Sequence, residues 1–424
     1  MVEPEVSAER GMAVAIDQDR ILAVLPEHEA RERFTADIEH LRSEHIALPG
    51  LINAHCHAGM ALFRGFADDL PLERWLGERI WPAEARWVNA EFVADGTRLA
   101  VAEMLLGGIT CFSDMYYFPD VVAEVAVETG IRVCVGMIAL EFPTVWAADA
   151  DEYIAKGLAV HDRYKADTLV TTAFAPHAPY SVSDETLARI RQLADELGVP
   201  IHTHIHETRE EISQALSKTG QRPLARLENL GFMTPALIGV HATQLTAEEI
   251  GRLAEAQANI VHCPRSNLKL ASGACPVSEL ERAGVNIALG TDGAASNNRL
   301  DVWSELQLAA LLGKLVADDA AALTAATILK MATINAARAL NLAEETGSLV
   351  AGKAADVICV ELNQPGLLPV LDPISQLVYS VSREHVSDVW CAGQHLVSGG
   401  ELSRMDLPAI HATASDWAER LSAP

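Results

Sequence analysis

Positive charge is scarce in this sequence. Its 424 residues carry 32 lysines and arginines against 58 aspartates and glutamates, a formal net charge of −26. A surface of that sign repels polyanions, so nucleic acid is not an expected partner. Ordinary solubility accounts for the acidity itself. No apolar run reaches the length of about 18 residues that a membrane span requires, so no membrane association is expected. The opening MVEPEVSAERG lacks the basic head and apolar stretch of a secretory leader, and a cytoplasmic location is expected. Paired cysteine motifs are also missing. The seven cysteines, at 56, 111, 134, 263, 275, 359 and 391, form no C-x-x-C, and their number is odd. Most lie in apolar strand-like runs, which points to buried reduced thiols rather than disulfides. Aromatic residues make up only 5%, so alanine, leucine and valine must fill most of the core of a chain that is half hydrophobic. Short repeats and low-complexity segments are absent.

What the chain does have is a change of texture. It is long for one domain and short for three. Residues 11–48 contain short strand-like pieces such as MAVAI (12–16) and ILAVL (21–25). From 49 to 344 apolar strands alternate with amphipathic helical stretches. Candidate strands are 50–54, 109–112, 132–138, 169–174, 200–205, 237–241, 258–262 and 286–290, with helices between them, for example 184–197 and 247–256. Eight strands, each followed by a helix, predict an α/β fold, a parallel (β/α)8 barrel of the TIM type. After about residue 345 short strands return, at 355–360 and over 386–397. Pattern alone does not bring the two β flanks together.

The chemically suggestive side chains fall at or just past the C-terminal ends of these strands. They are His55 and His57, then His177, His204 with Glu207, His241, and Asp292. In a (β/α)8 barrel that rim is where active sites assemble. In PGLINAHCH (49–57), two histidines at i and i+2 share a face and suit a transition metal, although H-x-H alone equally fits an ordinary polar loop start. In VPIHTHIHE (199–207), alternation predicts that His202, His204 and His206 share one side of the strand, and spacing does not choose among them. Glu207 has the chemistry of a proton shuttle beside a metal; its plain alternative is an acid at a helix N-terminus. A lone His241 at a strand end is more often structural. Asp292 in GTDGAASNN (290–298) either faces a pocket as ligand and base or caps the next helix.

Taken together, these segments resemble the amidohydrolase superfamily, and within it the 5-methylthioadenosine/S-adenosylhomocysteine deaminases. APHAPYSVS (175–183), HCPRSNLKLASG (262–273) and GSLVAGKAAD (347–356) extend the resemblance over nearly the whole chain. It implies a single divalent metal, zinc before iron or manganese, held by His55, His57, His204 and Asp292. His202 and His206 are then neighbours rather than ligands. It implies Glu207 as acid/base, Asp292 as proton acceptor, and His241 close to the hydrolytic water and the reacting carbon. His177 and Glu84 of WPAE (81–84) become substrate contacts alongside Glu207 and Asp292, with Glu84 on the ribose hydroxyls. A carboxylate can accept both hydrogen bonds of a cis-diol, which fits that role. The resemblance further implies that residues 1–48 and 345–424 form one composite β-sandwich beside a barrel of 49–344.

There are departures. Homocysteine-using members carry an arginine after the third strand for the amino-acid carboxylate. This chain has no arginine between Arg132 and Arg163, and LEFPTVW (140–146) in its place. An apolar wall suits a methylthio group and leaves a carboxylate without its charged partner. The expected reaction is hydrolytic deamination of 5′-methylthioadenosine, ahead of S-adenosylhomocysteine or adenosine. The family usually begins with a further strand, so the natural start is expected to lie upstream of Met1. A homo-oligomer of two or four copies is expected. Two rivals stand beside this reading. One is another hydrolase on the same scaffold, such as a triazine chlorohydrolase or a guanine or ammelide deaminase. The other is a non-catalytic binding barrel, against which the intact ligand set argues.

Overall fold

Eight parallel strands form the barrel in the computed structural model, which describes residues 6–422. They are β4 (Leu51–Cys56), β5 (Ile109–Asp114), β6 (Arg132–Ala139), β7 (Val170–Pro176), β8 (Ile201–Ile205), β9 (Leu237–His241), β10 (Asn259–His262) and β11 (Asn286–Leu289), each hydrogen-bonded to the next in chain order. Among the described residues three strands precede them: β1 (Met12–Asp17), β2 (Arg20–Pro26) and β3 (His45–Pro49). Helices return the chain between barrel strands, as parallel pairing demands. Their ends follow local chemistry. The Ser183 side chain accepts the Thr186 N–H at the start of Asp184–Leu197, and left-handed Gly198 ends that helix. Thr246 and Glu249 form a capping box for Ala247–Glu255.

The barrel closes between β11 and β4 through the residues after β11. The Asp292 N–H donates to the His55 carbonyl at 3.0 Å. Asn53 and Thr291 clamp the same seam reciprocally, with Asn53 Nδ2 to Thr291 Oγ1 at 2.8 Å and the Thr291 N–H to Asn53 Oδ1 at 2.9 Å. A buried cluster joins Ile52, Cys111, Cys134, Ala173, Val240 and Ala288 to Ile334 and Ala337 of the helix Ile334–Ala339. Residues from strands all round the sheet can meet in this way only across the barrel interior. The main core packs the surrounding helices on the outside.

The small β region draws on both ends of the chain. β1 and β2 pair as an antiparallel hairpin. β3 pairs with β12 (Val357–Glu361), which continues to β13 (Val386–Cys391), β14 (Gln394–Ser398) and β15 (Glu401–Leu402). Ile21 of the hairpin packs with Val357, Cys359 and Trp390 of the larger sheet. All seven cysteines are buried and unpaired. Among the described residues no helix is long and apolar enough to cross a membrane.

Candidate metal centre and active site

The barrel's C-terminal rim gathers His55, His57, His204 and Asp292. His55 lies inside β4, one residue before its end, and Asp292 follows β11 with a left-handed φ of 62°. His204 Nε2 stands 3.2 Å from His55 Nε2. Asp292 Oδ1 lies 3.4 Å from His55 Nε2 and 3.1 Å from His57 Nε2. Ligands each about 2.1 Å from one centre lie roughly 3 to 3.5 Å apart, so the spacing fits one small cation.

Proton positions support the fit. His57 Nδ1 donates to the Met115 carbonyl, and His204 Nδ1 donates to the His177 carbonyl at 2.8 Å. In its neutral form each of these rings therefore turns a bare Nε2 lone pair inward. Lone pairs crowded beside a carboxylate in a buried pocket need a positive charge among them. The titration directions show the same demand for positive charge, which a proton on His57 otherwise meets. Burial opposes a charge on His57, yet bonding to Asp292 lifts its pKa to about 9. Burial likewise opposes ionised Asp292, but bonds from His55 and His57 hold it well below the usual carboxylate range. Burial drives His204 well below the ordinary histidine value, the neutral state that a ligand needs. A divalent metal fits this donor set of imidazole and carboxylate.

Asp292 is also held from behind. Ser266 and Ser296 hydroxyls donate to its Oδ2 at 2.6 and 2.7 Å, and the Gly293 N–H donates to Oδ1 at 2.8 Å. Ser296 thus serves the carboxylate while also bonding the Gly293 carbonyl, and Asn297 bonds Thr291 and Glu305.

Glu207 sits just past β8, buried beside the cluster, and burial raises its pKa. Its Oε2 lies 3.8 Å from His241 Nε2. The Glu211 carboxylate accepts the His206 N–H at 3.0 Å and the Glu207 N–H at 2.6 Å, fixing the loop that carries Glu207. His241, at a left-handed φ of 74°, makes a 2.8 Å bond from Nδ1 to Asn267 Oδ1. Its ring stacks on His204, with centroids 5.4 Å apart. One nitrogen of His241 lies within 4.8 Å of donor atoms of His55 and Asp292. His177 packs edge-on against His204 and bonds Ser181. Glu84, on the helix Trp81–Trp87, is buried and accepts the Tyr116 hydroxyl at 2.9 Å. Tyr116 in turn lies 6.4 Å from the His57 ring. At the first residue of the same helix Trp81 lies against Phe142, with ring centroids 6.1 Å apart, and both rings are partly exposed.

The alternation predicted for 202, 204 and 206 fails at its last member. β8 ends at Ile205, and His206 turns to a φ of 52°. Its Nε2 accepts the Leu224 N–H at 3.0 Å, so its role is structural. His202 meets the cluster only from behind, with its Nε2 3.0 Å from His55 Nδ1. His262 is buried, its pKa lowered by burial to about 3. The residues that sequence reasoning missed are the supports: Ser266, Asn267, Glu211 and Tyr116. Ser266 and Asn267 lie inside the noticed segment 262–273, whereas Glu211, four residues past Glu207, and Tyr116 carry no local pattern that marks them.

The description "Amidohydrolase family" matches residues 46–396. The chain is 49% identical over 422 residues to a 5-methylthioadenosine/S-adenosylhomocysteine deaminase of Teredinibacter turnerae, covering 100% of this chain and 96% of the relative. Among solved structures it is similar to an adenosine deaminase from Xanthomonas campestris with bound zinc. That match has 49% identity and a TM-score of 0.98, covering 99% of this chain and 95% of the other. It is also similar to an atrazine chlorohydrolase from Arthrobacter aurescens complexed with zinc, at 26% identity and a TM-score of 0.90, covering 96% and 95%.

Proposed function

The chain belongs to the amidohydrolase family, and from that premise we propose that it is a zinc-dependent deaminase of adenosine-type nucleosides. The preferred substrate in this reading is 5′-methylthioadenosine, and the products are the inosine analogue and ammonia. The observation that carries it is the meeting of four candidate metal donors with a buried Glu207, whose pKa burial raises, at one barrel rim. The 49% relatives weigh toward deamination, whereas the chlorohydrolase shares the scaffold at 26%.

His55, His57, His204 and Asp292 would hold a divalent metal, which would supply Lewis acidity and lower the pKa of a water molecule toward about 7. Asp292 accepts a proton from the attacking water. Glu207 enters protonated, as its burial favours, and donates to purine N1, which makes C6 electrophilic. His241 orients the water or stabilises the charge that develops on it. The water oxygen bonds to C6, the C6–amine bond breaks, and the proton held by Asp292 leaves with the amine as ammonia, while the remaining hydroxyl proton at C6 returns to Glu207 and leaves the C6 carbonyl of the product. His177 contacts the base, and Glu84 accepts the two ribose hydroxyls. Trp81 and Phe142, in ring contact and partly exposed on the helix that carries Glu84 and on the segment after β6, offer apolar surface that suits a methylthio group better than a charged amino acid. The buried thiols suit a reducing cytoplasm, and assembly into dimers or tetramers belongs to the same reading.

The test is ammonia release from methylthioadenosine, adenosine, S-adenosylhomocysteine and guanine side by side, with chloride release from a chlorotriazine. Methylthioadenosine should give the highest kcat/KM. Glu207→Gln should lower kcat by about 10²- to 10⁴-fold with zinc retained. A wild-type rate in that variant rules out Glu207 as the proton donor.

A further inference from the structure

We propose that His202, which does not face the metal position itself, fixes the tautomer of the ligand His55 and so sets how tightly the centre holds its metal. This rests on reading His55, His57, His204 and Asp292 as that centre. Each of the three histidines must present a bare Nε2, and therefore carry its proton on Nδ1. Being buried, that N–H needs an acceptor. For His57 and His204 the acceptor is a backbone carbonyl, of Met115 and His177 respectively. A carbonyl only accepts, so the backbone dictates those two tautomers.

His55 is different. Its Nδ1 faces another imidazole nitrogen, Nε2 of His202, at 3.0 Å. His202 is completely buried, and its Nδ1 lies 3.1 Å from Ser113 Oγ. An imidazole nitrogen can donate or accept, so the line Ser113–His202–His55 has two self-consistent proton arrangements. In one, His55 Nδ1–H donates to His202 Nε2, and His202 Nδ1–H donates to Ser113 Oγ. His55 Nε2 is then bare. In the other, the Ser113 hydroxyl donates to His202 Nδ1, and His202 Nε2–H donates to His55 Nδ1. The His55 proton then sits on Nε2, aimed at His204 Nε2 at 3.2 Å and Asp292 Oδ1 at 3.4 Å, where it occupies the metal's place. Metal binding selects the first arrangement, and His202 is the side chain that makes it available. The three residues come from three separate barrel strands, β5, β8 and β4, so the line exists only in the folded barrel. Such outer partners also raise the basicity of the ligand that they hold.

The experiment measures zinc affinity by chelator competition in the full-length protein. Wild type should bind one zinc; failure to do so sinks the centre itself rather than this inference. His202→Phe, which fills the space without an acceptor, should bind zinc about 10- to 100-fold more weakly. His202→Gln, whose side-chain carbonyl can accept, should recover most of that loss. Wild-type affinity in the Phe variant, with only its metal-free unfolding temperature lowered, overturns the proposal. Should His202→Phe fail to fold, the imidazole ¹⁵N spectrum of zinc-loaded wild type decides. His202 protonated on Nδ1 and bare on Nε2 supports the inference, and the reverse tautomer refutes it.

Discussion

Glu84 shows how much of a side chain's behaviour comes from its surroundings. In water its carboxyl would be ionised at neutral pH. Burial on the helix Trp81–Trp87 lifts its pKa to about 7, against the hydrogen bond donated by Tyr116. The proposed ribose contact needs the ionised form, because a protonated carboxyl has less capacity to accept two hydroxyls. Below pH 7 the free enzyme is mostly in the wrong form, and above it mostly in the right one. KM for methylthioadenosine is therefore expected to fall as pH rises from about 6 to about 8, with kcat free of this step. In Glu84→Gln that dependence should vanish, and KM should rise by about tenfold or more. Steady-state kinetics across the pH range checks both. Residue identity was legible in the sequence for every proposed ligand. The burial that tunes Glu84 and Glu207 was not, because it depends on which distant elements cover them.

At the scale of elements, strand ends and helices were readable because their period and caps are local. Asp184–Leu197 matches the expected helix in both bounds, with Ser183 and Gly198 marking its ends. The extent of β8 was less legible. Alternation continued on paper through His206, while the chain turned after Ile205 under the pull of Glu211 on two successive amides. The seam between β11 and β4 is equally invisible in sequence, and it is tight. A Cβ on Gly290 would meet His55 Cβ, N and O, all at 2.9 Å. Gly290→Ala should cost about 1–3 kcal/mol of stability by overpacking. It should also loosen zinc, since the strained neighbour is a proposed ligand. Denaturant unfolding and chelator competition read the two effects separately. Unchanged values in both would show that the seam yields freely.

For the whole molecule, the joint between barrel and small sheets depends on a buried ion pair. Arg132 at the start of β6 is 2% exposed, and its Nε donates to Asp356 Oδ2 at 3.1 Å. Asp356 also accepts the Thr346 hydroxyl and the Ala392 N–H, both at 2.7 Å. Removing one partner leaves the other charge buried and unpaired. Asp356→Ala should therefore lower stability by about 3–5 kcal/mol. The folded fraction should keep near-normal kcat, because the joint lies away from the proposed catalytic groups. Thermal unfolding with activity per folded molecule checks this. A variant that keeps its stability but loses activity would place the joint in the chemistry instead.

The sequence by itself determined the barrel's strands, the helices placed at 184–197 and 247–256 and the residue types at its rim, because periodicity and donor chemistry are local properties. It also carried the resemblance from which the ligand set was read. Only the tertiary structure decided which neighbour each histidine meets. His206 turns to Leu224, His204 to Nε2 of His55, and His202 to the back of His55 at Nδ1. It also decided that β3, from the N-terminal flank, pairs with β12 from the other end. Those outcomes depend on contacts between residues up to about three hundred positions apart, which no local pattern encodes.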